Sequence, residues 1–136
     1  MSNPSIELSE PEQLRLVVAA AQDRKAEDIK VLHLGAVTDF TEHFVILSGT
    51  NERQVQAITD SINERLRAAG ARPLHIEGYN HANWVLLDYG GDLVVHVFLA
   101  ETRVFYGLER LWADAPDVTA EFLEDPAGEP PAAAQE

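Results

Sequence analysis

The sequence contains no cysteine, which excludes disulfides, a thiolate nucleophile and any cysteine-ligated metal. Basic residues are scarce: ten Lys and Arg stand against 23 Asp and Glu, for a formal net charge of -13. Nucleic-acid binding draws on a concentrated basic face that neutralises phosphates. The densest basic cluster here, Arg65, Arg67 and Arg72, reads instead as the solvated end of a helix, where cations complement the macrodipole. Direct sequence-specific contact with nucleic acid is therefore not expected. No apolar run approaches the roughly 20 residues that span a bilayer. The first residues, MSNPSIELSEPEQL, lack the basic-then-apolar layout of a signal peptide. The expectation is a soluble, cytoplasmic protein without membrane contact.

What is present is enough for one core. At 136 residues and 46% hydrophobic content, the chain suits a single domain. Its charge is uneven, because residues 113–136 hold seven acids and no Lys or Arg. Pro116, Pro126, Pro130 and Pro131 punctuate the same stretch. The division expected is an extension over 1–8, a folded domain over 9–113, and an acidic, disordered tail over 114–136. Within that tail Val118, Phe122 and Leu123 have the spacing of a brief helical turn. The acidic surface points to a basic protein as partner, with electrostatic steering aiding encounter.

Ser9 followed by Glu12 makes a capping box with Pro11 in the first turn, and Leu14, Val17, Val18 and Ala21 trace one helical stripe. Residues 30–34 (KVLHL) read as a short strand stopped at Gly35, and 43–48 (HFVILS) as a strongly apolar one. Thr50 or Asn51 caps the next helix, whose stripe is Val55, Ile58, Ile62 and Leu66 and whose end is marked by Gly70. A third strand spans 74–77, and a last helix over 101–112 is expected to bury Phe105, Leu108, and Leu111 or Trp112. The helix between the second and third strands fits a parallel crossover.

The most informative stretch is 83–99, NWVLLDYGGDLVVHVFL. Two apolar strands fold back on each other around Gly90-Gly91, where glycine relieves the positive backbone angles of a short hairpin loop. Near-continuous aliphatics in FVIL, WVLL and LVVHVFL suggest strands covered on both faces. The fold class is α/β: one domain, with helices packed on a mixed five-stranded sheet.

The run Trp84-x-Leu86-x-Asp88-Tyr89, glycine, Asp92, three aliphatics and His96 resembles the signature of the ribosomal silencing factor (Iojap-like) family. Gly90 and Gly91 stand where that family usually has one glycine. The resemblance extends through HFVILSGTNERQVQAITDSI, through Pro73-Leu74 to Glu77-Gly78, and through Arg103 to Trp112, so it covers about 14–114. It implies a nucleotidyltransferase-like fold without enzymatic activity or cofactor, and in several members a homodimer. It also implies a translation regulator that binds large-subunit ribosomal protein fourteen and sterically blocks joining of the small subunit. The partner-facing surface implied is Trp84, Asp88, Tyr89, Gly90, Asp92 and Phe98. Trp and Tyr are enriched at interface hot spots; the competing reading is that Trp84 and Phe98 are core while Asp88 and Asp92 satisfy turn amides.

Two other chemistries were open. Gly49-Thr50-Asn51 at a helix start is a plausible anion cradle, which makes a nucleotide-binding or nucleotidyltransferase-type enzyme the alternative. Such an enzyme also needs paired strand carboxylates for magnesium, and the only acids two apart are Glu10 and Glu12. Five histidines contain no His-x-His or His-x-x-x-His pair, so no metal site is expected. His96 is expected to be buried and hydrogen-bonded.

Overall fold

The computed structural model describes residues 8–123; residues 1–7 and 124–136, most of the expected extension and the end of the expected tail, lie outside the described residues. Helix α1 (Glu10–Asp23) starts at the capping box: Glu12 N–H donates to Ser9 Oγ, and Ser9 N–H to Glu12 Oε1. Leu14, Val17, Val18 and Ala21 are buried as their spacing requires. Strand β1 (Glu27–His33) begins earlier than the KVLHL pattern, and a short 3-10 turn at Leu34–Ala36 leads to β2 (His43–Gly49). Asn51 caps α2 (Glu52–Ala68) by accepting from Gln54 N–H at 2.8 Å. Gly70 follows with φ +99. Strand β3 (His75–Glu77) precedes the hairpin of β4 (Trp84–Asp88) and β5 (Leu93–Leu99).

The sheet order is β1-β2-β5-β4-β3. Strands β2 and β5 are parallel, and the other neighbours are antiparallel. Strands β2 and β3 therefore run the same way, and α2 is the crossover that joins them across the sheet. Side chains alternate between the two faces. Val31, Val45, Leu47, Val85, Leu87, Leu93, Val95 and Val97 meet α1 and α2 in the main core. Leu32, Phe44, Ile46, Val94 and Phe98 form a second cluster on the opposite face, with Leu34 and Ala115.

Three expectations need correction. The WVLL strand is covered on one face only: Val85 and Leu87 are buried, while Trp84, Leu86 and Asp88 are half-exposed. The last helix is broken. Helix α3 (Ala100–Tyr106) stops at Gly107, which takes φ +60, and one further turn, α4 (Leu108–Leu111), follows. Phe105 and Leu111 are 78% and 73% exposed, and the side chain that α3 buries is Arg103. Its guanidinium donates to Ser48 Oγ at 2.7 Å and to Glu109 at 2.8 and 3.2 Å. An apolar stripe pattern cannot reveal a buried cation whose partners lie on another strand and past a glycine.

The third correction concerns the boundary after residue 113. Residues 114–123 pack back on the domain, with Ala115 and Phe122 buried and a 3-10 turn at Thr119–Glu121.

Candidate partner-binding surface

The outer face of the β4–β5 hairpin is a row of aromatic side chains. Register sets Trp84 opposite Phe98, Leu86 opposite His96 and Asp88 opposite Val94. The Trp84 ring lies on Phe98 with centroids 4.8 Å apart, and Tyr106 from α3 reaches within 4.9 Å of it. The indole Nε1–H donates to His96 Nδ1 at 3.1 Å, so the neutral imidazole carries its proton on Nε2. Burial pushes the His96 pKa down to about 4, which keeps Nδ1 free to accept near neutrality. His96 also stands edge-on to Phe44, with centroids 4.4 Å apart. The hydrogen bond expected of His96 is thus the one that orients Trp84.

Backbone constraints hold this row in place. Gly78 has φ +82, and a Cβ there would sit 2.2 Å from the Trp84 carbonyl oxygen; the loop before β4 can approach the tryptophan only as glycine. In the hairpin turn Gly90 takes φ +79, while Gly91 has no atom within 4 Å of a built Cβ. Gly91 could therefore carry a side chain without a clash, and its carbonyl is held by Glu42 N–H at 2.9 Å. Thr41 hydroxyl donates to the Gly90 carbonyl at 3.1 Å.

The six residues implied by the resemblance do not share one surface. Trp84 and Asp88 lie on the outer face beside Leu86. Phe98 is fully buried beneath Trp84, so it supports the indole and offers no contact area. Tyr89 packs against the helix-side core, and burial raises its hydroxyl pKa; it faces away from Trp84. Asp88 Oδ1 accepts from Gly90 N–H at 2.8 Å, and Asp92 Oδ2 accepts from Gln13 of α1 at 3.1 Å. Asp88 thus satisfies a turn amide, as the competing reading had it, and also lines the outer groove, whereas Asp92 ties the turn's flank to a side chain of α1.

Residues outside that set complete the surface. Asn83, Trp84, Glu101, Thr102, Phe105 and Tyr106 line a groove of about 460 Å³. A second, of about 420 Å³, runs from Phe40 and Phe44 past Leu86 and His96 to Asp88 and Leu74. Neither lining contains Lys or Arg. Phe40 and Tyr106 are 54% and 56% exposed. The signal available in sequence for Phe105 and Tyr106 was Gly107, which breaks the helix and frees its apolar side from the core.

The alternative cradle is occupied from within the chain. Thr50 N–H and hydroxyl donate to Gln54 Oε1 at 2.7 and 2.9 Å, and Gln54 Nε2 donates to the carbonyls of Arg24 and Lys25. The turn therefore ties the start of α2 to the end of α1. Among the described residues, no three His, Asp or Glu side chains are grouped to hold a metal ion.

The family model described as "Ribosomal silencing factor during starvation" matches residues 7–136. The ribosomal silencing factor of Halalkalibacterium halodurans is 41% identical over 114 residues, covering 84% of this chain and 97% of that protein. A mouse protein named for mitochondrial assembly of the ribosomal large subunit is 32% identical, over 71% of this chain and 43% of its own length. A solved structure from Chromobacterium violaceum superposes with a TM-score of 0.75 at 33% identity, covering 78% of this chain and 88% of that one.

Proposed function

The chain belongs to the ribosomal silencing factor family, and we propose that it represses translation by docking on the large ribosomal subunit through the outer face of its β4–β5 hairpin. The contact is with the basic ribosomal protein fourteen, and the bound domain blocks the small subunit from joining. The mechanism is steric, so placement and residence time set the effect and no bond is made or broken. The family's description supports action in starvation, and the name of the mouse relative supports the large subunit as the site.

One observation carries the reading. A row of half-exposed aromatic and apolar side chains, Phe40, Leu86, Trp84 and Tyr106, with the largely exposed Phe105, sits among Asp88 and Glu101 with no cation in either groove. Aromatic anchors pre-oriented by packing lose little entropy on binding, and surrounding carboxylates steer a basic partner towards them. Light scattering of subunit joining tests the activity directly. Added protein is expected to suppress joining, and Trp84→Ala to restore it while the variant stays folded. Unimpeded joining in the presence of saturating wild-type protein overturns the mechanism; full suppression by folded Trp84→Ala removes this face from it.

A further inference from the structure

Strand β1 is an outer strand of the sheet, and outer strands present unpaired backbone groups that template pairing with another chain. Here those groups are taken by residues 116–119. His33 N–H donates to the Pro116 carbonyl at 2.9 Å, and Val118 N–H donates to the Val31 carbonyl at 2.9 Å. Val31 N–H donates to Thr119 Oγ1 at 2.9 Å. Leu32 and Asp117 form a single antiparallel bridge rather than a ladder. One large side chain anchors the segment: Phe122 is buried in the helix-side core, with the Arg15 guanidinium 5.9 Å above its ring. Val118 packs against the same core and Ala115 against the outer-face cluster, and Lys30 pairs with Asp117 at 3.5 Å, both side chains nearly half exposed, a pair that contributes little.

We propose that residues 114–123 are a detachable cover that restrains this chain from pairing edge to edge, through β1, with a second copy of itself. The cover mimics a partner strand at Val31 and His33, then leaves the edge through Pro116 and the Thr119–Glu121 turn. It is held by few bonds and one aromatic anchor, which places it among segments that open without global unfolding. Lifted, it bares a strand suited to its own copy. A two-fold centred on Val31 lets the Val31 N–H and C=O of one copy bond the C=O and N–H of the other. The same register sets Lys30 against Leu32, so no like charges face each other. The acidic residues 124–136, with no large apolar side chain, offer nothing to fill the slot that Phe122 leaves. This proposal does not rest on ribosome docking: the β1 edge lies outside both grooves of the outer face.

The test uses full-length protein. Phe122→Ser is expected to speed amide exchange at Val31 and His33 by roughly tenfold or more, and to double the mass seen by light scattering relative to wild type at equal concentration. Adding Val31→Pro removes an outward N–H at the edge and is expected to return the mass to the wild-type value. Asp117→Lys removes the carboxylate that accepts from Thr119 N–H and hydroxyl, so that Thr119 no longer meets Val31, sets a like charge beside Lys30, and gives the same readout should Phe122→Ser fail to fold. Freed amides without a rise in mass overturn the proposal, as does a rise that survives Val31→Pro. Amides that stay protected in the folded variants show a cover that does not detach, with the same consequence.

Discussion

Alternate residues of one strand lead to two different worlds. On β5, Leu93, Val95 and Val97 point at α1 and α2 into a sealed, mostly aliphatic layer. Val94, His96 and Phe98 point the other way, into a cluster roofed by Trp84, Leu86, Leu108 and Trp112, all of them half-exposed. The first face gains by excluding water from every apolar surface. The second stops short of that, keeping rings with polar handles at a surface where a partner can complete the burial. On the proposed reading, stability is concentrated on one face and recognition on the other, and neighbouring residues of β4 separate them.

The largest expected effect breaks the comparison at that point. Leu87 is fully buried on the helix side while Leu86 beside it is half-exposed. Leu87→Ala is expected to cost about 3 kcal/mol through lost burial and the cavity left behind, against about 1 kcal/mol or less for Leu86→Ala. Urea unfolding at neutral pH measures both. Equal costs would mean that the outer face is packed as tightly as the inner one.

Acid separates the faces next, because only the outer one buries a histidine. His96 ionises near pH 4 in the folded chain against an ordinary 6.5. Folding thus favours its neutral form, and the stability it contributes is whole above pH 6.5 and lost as pH falls from there towards 4. The total is roughly 3 kcal/mol. His43, also lowered by burial, acts in the same direction, while Glu10, raised by burial, acts in the opposite one. Comparing wild type with His96→Gln isolates the single group: the variant's stability is expected to fall less between pH 7 and pH 4.5. An identical fall would place the acid sensitivity elsewhere.

How far the two faces were legible follows from what each asks of the sequence. The helix-side core asks for aliphatics at strand and helix periods, and Leu14, Val17, Val18, Ile58, Ile62 and Leu66 stand where those periods put them. Caps at Ser9 and Asn51 were equally readable, since each depends on residues within one turn. The outer face depends on contacts that periodicity does not encode. Arg103 is buried because Ser48 and Glu109 receive it, and Phe105 is exposed because Gly107 ends the helix at Tyr106. The motif singles out Trp84, which lies on the outer face, yet Tyr89, five residues on, faces the helices. The packing of Phe122 rests on hydrogen bonds to β1 that no local pattern announces.

Trp84 belongs to the outer face alone, its ring resting on buried Phe98 while part of it stays exposed. Trp84→Ala is expected to weaken co-sedimentation with large subunits by about thirtyfold, near 2 kcal/mol, with some loss of thermal stability as well. Binding that falls only in proportion to the unfolded fraction would return Trp84 to the core.

Phe105 gives the smallest effect and the sharpest separation. Its ring is 78% exposed and touches Tyr106 with centroids 5.1 Å apart, so folding gains little from it. Phe105→Ser should leave the unfolding midpoint unchanged, within about 0.5 kcal/mol, because no cavity forms and no buried polar group loses its partner. Docking should still weaken by about fivefold, close to 1 kcal/mol, since the ring walls the groove beside Trp84 that a partner must fill. A helix burying Phe105, as its stripe suggested, would give the reverse pattern: a large loss of stability with binding lost only through unfolding. A variant that melts like wild type and binds like wild type would confine the recognition surface to β4, with α3 outside it.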